Sequence, residues 1–329
     1  MSQKVAQLVA CPVCEEPCSG PPLYQYTPSE AAAHFCPATR DKDRNLRLQR
    51  AIDRLWNGGN CGVYRCRACG FGFGFPFVAG DEEFYSILHE QRGYPEWRWD
   101  YDAAITHAVK LFERGKILDV GAGVGNFLRR LGPEWQTHAV EASDLNRATL
   151  KSAGIPVFPD LSEAAAKEPG TFQVVTLFQV LEHISDFRQT LANCYRLLAP
   201  GGRLVITVPD CDAMIRQEQL TGCHDMPPNH IGKWTAKSLS LALTNAGFEI
   251  GSAIDEPRSW SNVKASIHMR VMADATEPKT LAAQVYRIGN KRLRIPALAF
   301  VGLGAFANML PHLGELRRGG AFGLVAIAR

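Results

Sequence analysis

Short apolar runs that end in a turn and pass into a helical stretch recur from Lys116 onward, and this alternation constrains the fold more than any other feature. Ile117 to Val120 precedes Phe127 to Leu131, His138 to Glu141 precedes Leu145 to Ala153, Val174 to Phe178 precedes Phe187 to Leu198, and Arg203 to Val208 follows. A helix between consecutive strands carries the chain back to the starting edge, so the strands run parallel and both sheet faces are covered. Ser238 to Ala246 is a further amphipathic helix closed by Gly247, Phe248 to Ile254 another strand, and Ala321 to Ala328 the last. The class is α/β. The expected division is a cysteine-rich module over 1–80, a helical connector or lid over 81–113, the core over 114–257, a helical insertion over 258–320 and a closing strand over 321–329.

The first strand runs into Asp119-Val120-Gly121-Ala122-Gly123-Val124-Gly125-Asn126. Glycines at such a turn let backbone N–H groups approach a ligand at the carboxyl edge of the sheet. The dinucleotide fingerprint needs its third glycine one residue later, where Asn126 stands, so a nicotinamide dehydrogenase is disfavoured. Asp119 and Glu141, which closes the second strand, add two carboxylates that would repel a pyrophosphate. They suit a nucleoside carrying a free amino group, with Glu141 accepting from ribose hydroxyls.

Together with Phe178-Gln179-Val180-Leu181-Glu182-His183-Ile184 and Leu197-Leu198-Ala199-Pro200-Gly201-Gly202-Arg203-Leu204, these segments resemble the ordered motifs of class I S-adenosylmethionine-dependent methyltransferases. The resemblance implies a Rossmann-like sheet of seven strands, one of them antiparallel, and S-adenosylmethionine as cofactor. It places Gly121, Gly123 and Gly125 around the methionine part and Glu141 on the ribose, with Asp119, Ala122 and Asn126 also at the cofactor. Asp160 falls near the adenine amino group, and Gln179 lines the pocket. Gln173 departs from the family, which often has Asp before the fourth strand.

Cys11-Pro12-Val13-Cys14 and Cys66-Arg67-Ala68-Cys69 are two knuckles that each present two thiolates, enough for the closed tetrahedral shell of structural zinc. Phe71, Phe73, Phe75 and Phe77 alternate with small residues, as in a strand of a zinc-ribbon-like module. Cys18, Cys36 and Cys61 are spare; Cys61, five residues before Cys66, is a competing ligand without knuckle spacing, and it, Cys194, Cys211 and Cys223 otherwise read as ordinary small apolar residues. The stretch Met1 to Ala10 has one Lys and no apolar run of signal-peptide length, so a cytoplasmic setting is expected, where disulfides are rare. A zinc module followed by an aromatic connector and this core resembles, more loosely, bacterial methyltransferases of sugar and polysaccharide biosynthesis. That likeness implies a sugar nucleotide, glycan or related small-molecule acceptor.

His183, following the fourth strand, and His230, on the loop after the fifth, are the candidate bases, with His224 behind them. Thirty-six Lys and Arg against thirty-three Asp and Glu leave +3, too little for general nucleic-acid binding. Two alternatives stay open: an RNA methyltransferase using Arg44, Arg47, Arg50 and Arg54 on one helix, and a non-catalytic zinc-bearing module that binds a cofactor or partner. The uncharged run Ile295 to Pro311, flanked by Lys291, Arg292, Arg294 and Arg317-Arg318, reads either as a helical cap or as a peripheral contact of residues 291–318 with the inner membrane surface.

Overall fold

The structure, a computed structural model, describes residues 9–90, 96–221, 227–317 and 319–329. Cys223, His224 and Arg318 lie outside the described residues. The chain forms two units. One joins Met1–Arg92, Cys211–Lys233 and Pro257–Gly320; the other joins Gly93–Asp210, Trp234–Glu256 and Ala321–Arg329.

The second unit is built on seven strands: β1 Gly115–Val120, β2 Trp135–Val140, β3 Val157–Phe158, β4 Phe172–Phe178, β5 Leu198–Pro209, β6 Glu249–Asp255 and β7 Ala321–Ile327. Their order across the sheet is β6-β7-β5-β4-β1-β2-β3. Only β7 runs antiparallel to its neighbours, pairing Leu204 with Ala326 and Ala253 with Leu324. The seven-stranded sheet with one reversed strand thus meets the expectation. Ile117, Leu118, Val174, Val175, Leu204 and Val205 are fully buried, as in strands covered on both faces. Gln173, the departure from the family pattern, serves the sheet itself. Its Oε1 accepts the Lys116 N–H at 2.7 Å and ties β4 to β1.

The helix expected over Phe127 to Leu131 does not form. A single 3₁₀ turn, Leu128–Arg130, follows the glycine loop. Gly132-Pro133 comes immediately after, and proline disfavours helical backbone in the residue before it. The cradle is therefore made of turn backbone rather than a helix end.

The first unit departs from the expected division. The 81–113 connector is split: the Glu82–His89 helix belongs to the first unit and the Trp99–His107 helix to the second. The 211–233 segment, expected in the core, and the 257–320 insertion both join the cysteine-bearing stretch. Its sheet runs Gly232–Lys233, Gly72–Phe75, Cys61–Arg65, Tyr24–Tyr26, all antiparallel. The small residues alternating with the phenylalanines have a reason here. A Cβ on Gly72 would stand 2.9 Å from Lys233 Cβ, and one on Gly74 2.7 Å from Pro227 Cγ.

Asp41 caps the Lys42–Leu55 helix through the Arg44 N–H, and Leu48, Ala51 and Ile52 bury its apolar stripe with Trp56 and Phe84. The C-terminal insertion is helical: Trp260–Thr276, Leu281–Tyr286 and Lys291–Met309 pack through Val271, Tyr286 and Ala305.

Candidate functional site

In the second unit β1 ends at Val120, and Gly121 turns the chain with φ +75°, its N–H bonded to Val140 O at 2.8 Å. A Cβ there would meet Val180 Cγ2 at 2.7 Å, and one on Gly125 (φ +81°) would meet Leu150 Cδ2 at 2.7 Å. Both positions need glycine for backbone conformation and for space. Gly123 is also left-handed, and Gly125 closes the turn on Ala122 O at 2.9 Å. Ala122 packs at the edge of the apolar core beneath the loop, and Asn126 is half-buried.

Glu141 does something that its spacing from the glycines did not reveal. Its Oε2 accepts the Gly123 N–H at 2.8 Å and its Oε1 the Ser143 N–H at 2.9 Å. The carboxylate pins the glycine loop to the turn after β2. Each oxygen keeps a second lone pair, so ribose hydroxyls remain compatible with this brace.

Asp119 is buried, and Thr176 Oγ1 donates to its Oδ1 at 2.7 Å. Burial pushes its carboxyl up to about 7; the nearby charges of Asp100 and Glu141 add to this, while the Thr176 hydroxyl and Arg98 oppose it. Asp100 is a residue that the motifs missed. Its Oδ2 accepts from Thr207 Oγ1 at 3.0 Å and from the Arg98 guanidinium at 2.5 Å. Its buried Oδ1 has no hydrogen-bond partner among the described residues. Asp100 sits in the run Trp97-Arg98-Trp99-Asp100-Tyr101, and an acid inside so aromatic a stretch was the available signal. Tyr101 stacks its edge on Phe178, with ring centroids 5.0 Å apart.

Gln179 lies just beyond β4 in the left-handed region, φ +57°, with its N–H on Thr207 O and its buried Nε2 without a partner among the described residues. Such backbone costs on the order of 1 kcal/mol for a side chain of this kind and concentrates at ligand sites. An unpaired acceptor on Asp100, an unpaired donor on Gln179 and a cradle that a Cβ would fill suit a ligand with both cationic and hydrogen-bonding groups. S-adenosylmethionine has both.

Asp160 is exposed, and its Oδ1 caps the Leu161–Lys167 helix through the Glu163 N–H at 2.8 Å. A capping role explains it without a ligand. His183, 27% exposed, lies on a 3₁₀ turn with its Nε2 4.0 Å from Oε1 of fully buried Glu182. His230 belongs to the first unit and is half-buried there. The helix with four arginines does not present a free basic face. Arg44 is buried and donates to Ile87 O and Leu88 O, Arg47 pairs with Glu90 and Asp43, and Arg54 with Asp81 and Glu83.

In the first unit the sulfur atoms of Cys11, Cys14, Cys66 and Cys69 all lie within 4.8 Å of one another. Cys11 and Cys69 are 3.6 Å apart, Cys14 and Cys66 3.5 Å. A tetrahedron with metal–sulfur bonds of about 2.3 Å has edges of roughly 3.8 Å, close to these separations. Burial opposes ionisation of Cys66, yet N–H groups of Cys69 and Ala68 and the neighbouring Cys14 thiol bring it down to about 7, whereas burial pushes the Cys69 thiol up to about 12 and raises Cys11 as well. The knuckle turns thus aim N–H groups at sulfur, as a thiolate ligand needs.

Residues 95–253 match a family model described as a methyltransferase domain. A ubiquinone biosynthesis O-methyltransferase from Thiobacillus denitrificans is 34% identical over 97 residues, 26% of this chain and 41% of the relative. A probable S-adenosylmethionine-dependent methyltransferase from Mycolicibacterium smegmatis is 30% identical over 125 residues, 34% of this chain and 46% of the relative. The chain therefore spans less than half the length of these two curated relatives. A solved S-adenosylmethionine-dependent methyltransferase from Archaeoglobus fulgidus is 14% identical with a TM-score of 0.45, over 74% of this chain and 99% of that one. The match to a methyltransferase domain covers most of the second unit and also takes in 211–233 of the first.

Proposed function

We propose that this chain transfers a methyl group from S-adenosylmethionine to a small-molecule acceptor of the sugar-nucleotide, glycan or related metabolite class. The observation that carries the reading is the glycine cradle flanked by the unpaired atoms of Asp100 and Gln179. When bound, the cofactor supplies a sulfonium-borne methyl group for in-line displacement. The residues supply alignment, a dry site and a place for the acceptor's proton. Gly121, Ala122, Gly123, Gly125 and Asn126 approach the methionine part, Asp119 and Asp100 face its ammonium group, and Glu141 and Gln179 hold the remainder. His183 is the base we assign, with buried Glu182 stabilising its protonated form. The names of the relatives, O-methyltransferases among them, support transfer to a small molecule, and the cysteine module ahead of the core supports the sugar class.

Isothermal titration with S-adenosylmethionine tests the reading, and absence of binding sinks it. Incubation with cell extract and cofactor should then add about 14 daltons to one metabolite, which identifies the acceptor. Unchanged turnover of His183→Ala, with undiminished cofactor binding, eliminates that residue as base. Cys11, Cys14, Cys66 and Cys69 would hold one structural zinc ion, whose closed shell stabilises its module and leaves no position for substrate.

A second reading concerns place rather than chemistry. Leu293, Phe300, Leu303 and Leu310 share one face of the C-terminal helical run and are 48–71% exposed, while Leu298, Val301, Ala305 and Met309 bury the opposite face. Lys291, Arg292 and Arg317 flank the run. An apolar face bounded by cations fits the headgroup zone of an anionic inner-membrane surface. Failure to float with anionic liposomes excludes this contact.

A further inference from the structure

The first unit contains a cavity of about 580 Å³, partly open to solvent and the size of a pocket for a small organic ligand. Its walls come from all three stretches of that unit. Arg40 and Arg44 come from the N-terminal stretch, Met214 and His230 from 211–233, and Met269, Met272 and Arg294 from the insertion.

Among the described residues, arginine side chains carry most of the charge on these walls. Among the described residues lining the cavity Glu218 is the one carboxylate, and it is already held by the buried Lys233 ammonium at 2.7 Å. Arg44 is buried, with Nε on Ile87 O at 3.0 Å and an amino group on Leu88 O at 2.7 Å. Carbonyls fix its direction but do not cancel its charge. Glu90 approaches it only to 3.9 Å and is committed to Arg47 at 2.6 Å.

Arg40 lies 5.9 Å from the centre of the Tyr286 ring, whose hydroxyl donates to Met272 Sδ at 3.1 Å. Burial pushes the Tyr286 phenol up while Arg40 and Arg294 pull it down. Burial likewise pushes the Cys36 thiol up, Asp41 adds to this, and the positive fields of Arg44 and Arg40 oppose it. Arg40, Arg44 and Arg294 all line this one cavity. Met214, Met269, Met272 and Leu298 line the same cavity and provide apolar, adaptable surface.

We infer that this cavity binds a small molecule joining an oxyanion to an apolar body, with Arg40, Arg44 and Arg294 holding the oxyanion and the methionines the body. Guanidinium groups match phosphate and carboxylate oxygens two at a time, and a partly buried site strengthens the pairing. As an anion site the cavity stands independently of the methyltransferase reading.

The test is calorimetric titration of the full chain with phenyl phosphate, benzoate and neutral benzyl alcohol. At least one anion should bind about tenfold or more tightly than the alcohol. Preference for phenyl phosphate assigns a phosphoryl ligand, and preference for benzoate a carboxylate. Arg40→Gln and Arg294→Gln, both at positions with solvent access, should each weaken the anion about tenfold and leave the alcohol unaffected. Arg44→Lys, which keeps the charge and loses the forked geometry, should do the same to a smaller degree. Equal affinity for all three probes, or no anion binding at millimolar concentration, overturns the inference. S-adenosylmethionine titrated into the same samples separates the two readings: lost cofactor binding refutes the transferase, whereas intact cofactor binding with no anion preference refutes only this site.

Discussion

Asp119→Asn isolates the cost of keeping a carboxyl group beneath the glycine cradle. In the folded chain burial raises its pKa from 3.8 to about 7. Between these values the unfolded chain has lost the proton and the folded chain retains it, so unfolding releases a proton and stability falls as pH rises. Each unit of separation corresponds to about 1.4 kcal/mol, so roughly three units put the full effect near 4 kcal/mol. The loss begins above about pH 4 and is complete above about pH 7. Asparagine removes the ionisation and retains an oxygen for the Thr176 hydroxyl. Urea midpoints for both proteins from about pH 5 to about pH 8 should show the variant gaining on the parent by 2–4 kcal/mol, an order-of-magnitude figure. Cofactor affinity should move the other way. A cationic amino group near ionised Asp119 offsets the cost, so the parent should bind more tightly as pH rises through about 7 and the variant should show a flatter profile. A stability gap that stays constant across this window would refute the reasoning.

Glu141→Ala should lower cofactor affinity by roughly 1–3 kcal/mol, and because the Gly123 and Ser143 N–H groups lose their acceptor it should lower the melting temperature as well; calorimetry and a thermal scan check the two parts. Gly125→Ala forces a Cβ against Leu150 at a left-handed backbone and should cost about 2–4 kcal/mol in urea unfolding. Cys14→Ser should reduce zinc content per chain, measured by atomic absorption, and chelation should lower the parent's melting temperature while sparing an already metal-poor variant.

The sheet was legible because its strands are buried on both faces: Val174-Val175-Thr176-Leu177-Phe178 has no other comfortable place. The glycine turn was legible because its chemistry is local. What stayed hidden depends on distant partners. Asp100 acquires its setting from Thr207, 107 positions away. The brace from Glu141 to Gly123 needs two strands already in register. Gly232–Lys233 is too short to show periodicity, and only pairing with Gly72 and Phe73 makes it a strand. The expected helix after the cradle failed because a motif outweighed Gly132-Pro133. The arginines of the Lys42–Leu55 helix suggested RNA until the acids and carbonyls of the following helix accounted for three of them.

The first unit closes only with residues from the far end of the chain, and this sets a schedule for biosynthesis. Ribosomes add roughly 5–20 residues per second, so the interval between emergence of the second knuckle at Cys69 and of the last helix near Leu316 is roughly 10–50 s. During that interval the four thiols are present while the helices that complete their unit do not yet exist. Early metal capture would shield these sulfurs from oxidation, and it would hold the nascent N-terminal stretch in one arrangement until its remaining walls are made.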